Sequence, residues 1–449
     1  MPDIEITDVA VAGGRVEYEY DCSTSVGRFF AEDLAVEYDV DVSAVPESVL
    51  VIPCLANLCP VAWATGADVS APAVDSRFLD ALEAVREGFE ELYPEFVSAS
   101  EVRADRRVET SDVAFDGGSV ERSSGDGTGP QSSLADSDDA VLFSGGVDSV
   151  ASYVRHREAD PLLVSIHGFD IELDDRTAWA KRAPELREFG ESRGVKNRFV
   201  RMNLHSALDV FLLNARFGDH YADDWITSVG YGLSLLGTCA PLTAAEGVDT
   251  LRIAASGWEG GEPPGGSHHR IVDEVAWADT TVEHAVYDLT RQDRIERIAD
   301  YVRQQAPDLQ IRSCSREGDN CSECLKCMRT AVGLLLSGLD PADHGYEFDR
   351  ETFEYVRRRL ETDDWRLSDY ERLMWRDMQE RTNPGDEYPY PEAEAFFAWL
   401  RNQNVENLGA DPADSNRNRA LYALAQRTPY PVYSGVSSAY RFVDEWVLG

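Results

Sequence analysis

Apolar residues follow two different spacings along this chain, and the change in spacing marks out segments. In residues 1–120, short runs alternate apolar and polar positions, as at 15–20 and 34–38, which is typical of half-buried strands. Residues 76–92 instead place apolar side chains three and four positions apart, which predicts a helix. The run 48–52 is apolar enough to be buried. Together these patterns predict an amino-terminal α+β domain over residues 1–120.

Strand-like and helix-like runs then alternate through residues 139–330. The predicted strands are 140–143, 162–166, 198–202, 251–255 and 310–312. The predicted helices are 149–158, 176–193, 205–217, 225–245 and 292–305. This alternation favours an α/β fold with a parallel, doubly wound, Rossmann-like sheet, whose ligands bind at the carboxyl ends of the strands. Residues 121–138, rich in Ser, Gly and Asp, predict a flexible linker, and residues 331–449 predict a mostly helical region.

One hexapeptide connects the first of these predicted strands to the first predicted helix: Ser144, Gly145, Gly146, Val147, Asp148 and Ser149. Two glycines let a backbone turn tightly and approach a ligand closely. Amide groups of such a loop, with the start of the following helix, form a site for an anion. Asp148 could mark the helix start or hold Mg²⁺ on a phosphate. The alternative is a plain helix cap after a Gly-Gly turn, and we favour phosphate binding because a strand precedes the loop and a helix follows it.

The hexapeptide resembles the SGGxDS pyrophosphate loop of the ATP pyrophosphatase superfamily, whose fold is a Rossmann-like, HUP-type sheet. Enzymes of this superfamily cleave ATP between the α- and β-phosphates and adenylate an oxygen of their substrate. The resemblance implies that the loop binds ATP with Mg²⁺, and that Ser144, Asp148 and Ser149 take part in catalysis.

Four of the eight cysteines lie close together, at Cys314, Cys321, Cys324 and Cys327. Four thiolates suit tetrahedral Zn²⁺, and a closed four-cysteine shell is typical of a structural site. Disulfides and an iron–sulfur cluster are the alternatives. Disulfides fit poorly with the absence of a signal peptide at the start of this sequence.

A pyrophosphate loop followed by such a cysteine cluster resembles the 7-cyano-7-deazaguanine synthase family, which uses ATP and ammonia to convert a carboxylate to a nitrile. Gly257 resembles the glycine after the family's fourth strand, and Arg294 stands where a lysine is usual. The resemblance implies that both contribute to the ATP site. It also implies a small-molecule substrate with a carboxylate or amide and a nitrogen donor such as ammonia. Two other hypotheses stay open: a tRNA sulfur transferase using Cys239, and a non-catalytic nucleotide sensor or scaffold.

Several polar residues follow predicted strands on the edge that should carry the site. His167 and Asp170 come after the second strand, where Asp170 could bind Mg²⁺ or a ribose. His268, His269 and Arg270 lie in a Gly/Pro-rich loop after the fourth strand and could contact the substrate. Metal binding by the two histidines is the weaker alternative to substrate contact, because no third ligand stands at metal-site spacing from them.

The net charge of −40, with 82 acidic and 42 basic residues, is spread along the chain. Such a surface is typical of proteins from a halophile's cytoplasm, where dense counterions screen the repulsion. It argues against nucleic acid as a partner, since phosphate contacts need basic patches. No apolar run is long enough to span a membrane. A cytoplasmic location is therefore predicted.

Overall fold

The computed structural model of the chain describes residues 3–110, 137–221, 223–254, 257–314, 319–362 and 364–409, together with Thr428 and Val432. Nearly all of the predicted linker at 121–138, and most of the chain beyond residue 409, lie outside the described residues.

Within that part of the chain, the strands all belong to one sheet. They are β1 (Asp3–Ala12), β2 (Arg15–Cys22), β3 (Ala35–Tyr38), β4 (Asp68–Asp75), β5 (Val102–Val108), β6 (Asp139–Leu142), β7 (Leu162–His167), β8 (Asn197–Met202), β9 (Thr250–Ile253), β10 (Ala276–Trp277) and β11 (Thr280–His284). Their order across the sheet is β10-β11-β9-β6-β7-β8-β3-β2-β1-β4-β5.

The middle of the sheet is a parallel block in the order β11-β9-β6-β7-β8. In chain order these strands run outward from β6 in both directions, which is the arrangement of a doubly wound sheet. Ligands of such sheets bind where the order reverses, at the carboxyl ends of the strands. Here the order reverses between β6 and β9, which pair in parallel with Ala140 opposite Leu251.

Alternate residues of the central strands enter two separate hydrophobic clusters, because successive side chains of a strand point to opposite faces. Ala140 and Leu142 of β6 pack in one cluster, and Val141 and Phe143 pack in the other. Both faces of the sheet are therefore covered, which explains why β6 is almost continuously apolar.

The helices cover these faces. They are α1 (Thr24–Gly27), α2 (Glu47–Leu50), α3 (Ile52–Thr65), α4 (Ser76–Leu92), α5 (Val147–His156), α6 (Arg176–Glu191), α7 (Leu204–Ala207), α8 (Val210–Phe217), α9 (Tyr231–Thr238), α10 (Ala240–Glu246), α11 (His269–Val272), α12 (Arg291–Gln305), α13 (Leu325–Leu336), α14 (Thr352–Glu361), α15 (Asp369–Arg381) and α16 (Glu392–Arg401). A π-helical segment, Ile226–Gly230, precedes α9.

The α/β class and the mostly parallel sheet are confirmed. Three predicted elements differ in detail. The predicted helix 205–217 is broken between α7 and α8, where Leu208 is extended. The predicted helix 225–245 is divided into the π-helical segment, α9 and α10. The predicted strand 310–312 is reduced to a single bridge between Arg312 and Gly146.

The amino-terminal strands continue the central sheet. β3 pairs antiparallel with β8, with Val36 opposite Met202, and β2 and β1 follow outward. The core is shared as well, since Gly237 of α9 lies so close to Ala56 of α3 that a β-carbon at Gly237 would be 2.4 Å from the alanine methyl group. The division into domains at residues 120, 138 and 330 and the HUP-type assignment stay predictions.

No helix among the described residues combines the length and the apolar character needed to cross a membrane.

Candidate active site

The hexapeptide 144–149 lies at the carboxyl end of β6, beside the point where the strand order reverses. Gly145 has φ of 73°, a left-handed conformation that glycine adopts without strain. The Ser149 hydroxyl donates to the Gly146 carbonyl at 3.0 Å and accepts from the Ser144 amide at 3.3 Å. Hydrogen bonds within the hexapeptide therefore stabilise the conformation of the loop.

The loop is also fixed from outside by the segment that leads to the cysteines. The Val147 amide donates to the Arg312 carbonyl at 3.1 Å, and Gly146 forms the isolated bridge with the same residue. This contact connects the start of α5 directly to the chain just before Cys314.

Asp148 lies in the first turn of α5, and two arginines of α12 hold its carboxylate. Arg294 donates to Oδ1 at 2.7 Å, and Arg291 donates to Oδ2 at 2.5 Å. Burial alone would raise the pKa of Asp148, but these two guanidinium groups outweigh it and lower the pKa below its ordinary value. Both carboxylate oxygens are thus engaged by arginine, which leaves Asp148 poorly suited to hold Mg²⁺ in this arrangement.

A pocket of about 690 Å³ opens in front of the loop. It is of the size that small-molecule sites commonly have. Its walls come from the loop, the ends of β6 and β7, α6, the segment before α9, α12 and the region of the cysteines. The lining residues include Phe143, Ser144, Gly146, Val147, Asp148, Ile166, Asp170, Ile171, Trp179, Arg182, Leu186, Thr227, Tyr231, Ser267, Arg291, Arg312, Cys314, Cys324, Lys326 and Glu371.

Four cations reach this pocket: Arg182, Arg291, Arg312 and Lys326. Arg182 is buried, with its guanidinium near Gly145, and burial and then Arg312 lower its pKa. Arg312 is held by Glu185 and, at 2.8 Å, by Asp319. Asp148, Asp170 and Glu371 also line the pocket, so its lining has four cationic and three acidic side chains, whereas the whole chain has 42 basic and 82 acidic residues.

Asp170 projects into the pocket from the loop after β7. Its carboxylate meets the solvent of the pocket but is otherwise surrounded by protein, and this burial raises its pKa against the opposing effect of Lys326 and Arg182. The neighbouring Tyr231 has a pKa raised by the Asp170 charge and by burial. Asp170 is therefore the lining carboxylate best placed to receive a cation or a polar ligand.

The four cysteines come together as the sequence predicted, and the group could bind a metal such as zinc. Their sulfur atoms accept bonds from backbone amides at 3.3–3.5 Å: the Cys321 amide to Cys314, the Cys324 amide to Cys321 and the Cys327 amide to Cys324. Such bonds favour thiolates, the form that binds metal. Because Cys314 and Cys324 also line the pocket, the cluster forms part of its wall.

The remaining predicted site residues lie around the pocket rather than in its lining. His167 is buried, stacks on Trp179 at 4.1 Å between ring centres, and contacts the Glu172 carbonyl. The Gly257 carbonyl accepts from the buried Arg294 guanidinium at 2.5 Å, so Gly257 and Arg294 support Asp148 from behind.

The loop after β9 contributes Ser267 to the pocket lining. Arg270 forms ion pairs with Glu91 and Glu274 at 2.9 and 3.3 Å. His268 and His269 both contact Glu262, at 3.4 and 2.5 Å. The structure thus supplies a third ligand-type residue that the sequence spacing did not reveal.

Sequence reasoning missed most of the cations in the pocket. Arg182 and Arg312 carry no local motif, since they meet only when α6 packs beside the segment before the cysteines. Lys326 offered a signal, because it is one of very few lysines in the chain and stands inside the cysteine cluster.

Comparison of the chain with models of protein families, with curated proteins and with solved structures found no match.

Proposed function

We propose that this protein binds ATP in the pocket before the 144–149 loop, cleaves it to AMP and pyrophosphate, and adenylates a small-molecule carboxylate or amide. A nitrogen donor such as ammonia then displaces AMP, as in a C–N ligase resembling the 7-cyano-7-deazaguanine synthase family. The observation that carries the proposal is the meeting of a glycine turn at the sheet's reversal point with four cationic side chains, in a chain that is otherwise strongly acidic.

The cationic residues of the pocket lining suit a triphosphate. Backbone amides at a helix start bind phosphate oxygens, and Arg182, Arg312 and Lys326 can add charge-assisted hydrogen bonds. These groups are fixed before the ligand arrives and would stabilise the negative charge that grows on departing pyrophosphate.

The pocket lining also has an apolar part, which suits a base or another flat ring. It carries Phe143, Ile166, Ile171, Leu186 and Trp179. The Trp179 ring is held in place by its stacking on His167, which gives the predicted His167 an indirect, supporting role.

Asp170 fits a magnesium ion better than Asp148 does, because no arginine among the described residues forms an ion pair with its carboxylate and it opens to the pocket. When bound there, Mg²⁺ would neutralise part of the phosphate charge.

In the proposed reaction an oxygen of the substrate carboxylate attacks the α-phosphorus, and the bond to the β-phosphate oxygen breaks. Pyrophosphate leaves with the electron pair, giving an acyl adenylate. The nitrogen of the donor then attacks the acyl carbon, AMP leaves, and a proton is lost from nitrogen. An ionised carboxylate needs no general base for the first step.

The rival sulfur transferase would need an accessible cysteine beside the loop, outside the four-cysteine cluster. Cys239 is fully buried, and its thiol contacts the Leu235 carbonyl within the helical layer. Its position therefore supports nitrogen transfer over sulfur transfer. For a chain of this charge we also propose a halophile's cytoplasm as the setting, so activity is best measured at about 1 M KCl, where the screening length is about 3 Å.

The direct test follows AMP and pyrophosphate release from α-labelled ATP, with Mg²⁺, ammonium and pools of small carboxylates. We expect AMP and pyrophosphate in one pool, and an ATP affinity reduced about tenfold or more in Arg182→Met, since a lost charge-assisted contact is worth at least about 1.4 kcal/mol.

The matched control is Arg187→Met, because Arg187 is on the same helix but faces Phe199 and a different cavity. It should bind ATP as the wild type does. Release of ADP and phosphate, or equal ATP binding by the wild type and Arg182→Met, would contradict the proposal. Tight binding without turnover in every pool would favour the nucleotide sensor.

A further inference from the structure

The loop between β9 and α11 gathers a second group of metal-ligand residues, separate from the cysteines. Glu262, His268 and His269 each place one ligand atom within 4.8 Å of the others. Oε2 of Glu262 is 3.4 Å from Nε2 of His268 and 2.5 Å from Nδ1 of His269. Two imidazoles therefore converge on one carboxylate oxygen.

Glu262 is an unusual carboxylate in this protein because it is nearly buried, with its side chain only 6% exposed. A buried carboxylate is costly unless a positive charge or several hydrogen bonds compensate for it. Among the residues that the structure describes, its ion-pair partners are the two histidines, and its Oε1 accepts the His269 backbone amide at 2.9 Å. A cation bound where the two imidazoles meet this carboxylate oxygen would supply positive charge to it.

The loop is held firmly enough to keep these residues together. Gly257 lacks the β-carbon that would come within 2.4 Å of the Glu262 Cγ, so Glu262 can fold back onto the backbone. At the other end, Gly266 donates to the Thr227 carbonyl and accepts from the Gly232 amide at 3.1 Å. A β-carbon at Gly232 would be 2.2 Å from that Gly266 carbonyl oxygen. Close glycine contacts thus fix both ends of the segment.

We propose that Glu262, His268 and His269 form a binding site for a divalent transition-metal ion such as Zn²⁺, Co²⁺ or Ni²⁺. Two nitrogens and one carboxylate oxygen favour these ions over Mg²⁺ and Ca²⁺, which prefer oxygen ligands. Three protein ligands leave at least one position for water or a ligand group, unlike the closed four-cysteine shell.

The distances need only a small adjustment. In a tetrahedral shell with metal–ligand distances of about 2.1 Å, ligand atoms lie about 3.4 Å apart, which is the present separation of Glu262 and His268. The Glu262–His269 contact is a hydrogen bond, and the metal would replace its proton. His268 would also move its ring proton to Nδ1, giving up the long 3.2 Å bond from the Arg270 amide.

The test is a cobalt titration of the full chain with the cysteine cluster loaded with zinc. High KCl and excess Mg²⁺ occupy the acidic surface, and no nucleotide is present, so the outcome is independent of the proposed ATP chemistry. We expect one further equivalent of Co²⁺, with visible d–d absorption but without a thiolate charge-transfer band. Glu262→Gln and His269→Ala should weaken this binding at least tenfold, while the control His220→Ala should leave it unchanged.

A further variant distinguishes loss of cobalt binding at this site from misfolding of the protein. His269→Cys keeps a ligand at this position and should add a thiolate-to-cobalt band that the wild type lacks. The proposal is overturned if the zinc-loaded wild type takes up no further cobalt. It is equally overturned if Glu262→Gln and His269→Ala bind cobalt as tightly as the wild type, or if His269→Cys produces no new band.

Discussion

Arg294 donates from Nη1 to Oδ1 of Asp148 across 2.7 Å, with its own side chain fully buried. The same guanidinium donates to the carbonyls of Gly257, Leu289 and Val286. Arg294 therefore connects Asp148 of α5 to the segment after β9 and to the segment just before α12. The sequence suggested Arg294 as a direct ligand, whereas the structure gives it the position of a buried connector.

Replacing this connector should destabilise the fold. Arg294→Met leaves Asp148 with one arginine partner and removes a donor from three carbonyls, and breaking a buried pair typically costs about 3–5 kcal/mol. Denaturant unfolding should show a loss of that size. Arg103→Met serves as the control, because Arg103 and its partner Glu101 are both largely exposed and the pair should contribute little. Similar stability of the two variants would contradict the connector role.

His284 should make the protein less stable in mild acid. Burial, and secondly Arg294, lowers its pKa from 6.5 to about 4, and neither ring nitrogen has a hydrogen-bond partner in the described part of the chain. The unfolded state therefore takes up the proton first. Stability from the neutral ring is fully present above about pH 6.5 and is lost as the pH falls towards 4, which amounts to about 2 kcal/mol at pH 5.

Unfolding free energies at about pH 7 and about pH 5 test this directly. His284→Leu should reduce the acid-induced loss by about 2 kcal/mol relative to the wild type, whereas His220→Leu should retain most of it. If acidification destabilises His284→Leu as much as the wild type, groups other than His284 cause the loss of stability in acid.

Removing a thiolate from the cysteine cluster should weaken zinc binding there and loosen the pocket wall. Cys324 is the N-cap residue of α13, where its sulfur accepts a hydrogen bond from the Cys327 amide, and it also lines the pocket. Cys324→Ser should therefore lower both the zinc content and the thermal midpoint, since metal binding contributes to folding. Elemental analysis and thermal unfolding measure these changes. Cys239→Ala removes a buried core cysteine and should leave the zinc content at the wild-type value.

The features that were predictable from sequence are local ones. The helix 76–92 matches α4 because its apolar spacing and its Asp75 cap both lie in one stretch of chain. The 144–149 loop and the cysteine cluster are likewise contiguous motifs. The α/β class follows from alternation of such segments.

What the sequence did not reveal depends on contacts between distant segments. Arg182 and Arg312 belong to one pocket only because α6 packs beside the chain before Cys314, and Glu262 reaches the histidines only because the loop turns back at Gly257. The pairing of β3 with β8 also has no local signal, because short strands do not encode their partners.

A substitution at Gly145 tests whether the 144–149 loop binds nucleotide or only has a structural role. Its φ of 73° would strain any L-residue, and a β-carbon there would lie 3.3 Å from Leu186 and 3.5 Å from the Arg182 guanidinium, on the pocket side of the loop. Gly145→Ala should therefore cost about 1–2 kcal/mol of stability and reduce ATP affinity at least tenfold by displacing Arg182.

Gly194 has nearly the same φ, 70°, but no atom lies within 4 Å of its hypothetical β-carbon. Gly194→Ala should lose comparable stability while binding ATP as the wild type does. Equal ATP affinities for the two variants, measured by calorimetry, would remove the loop from the proposed site even if both proteins remain folded.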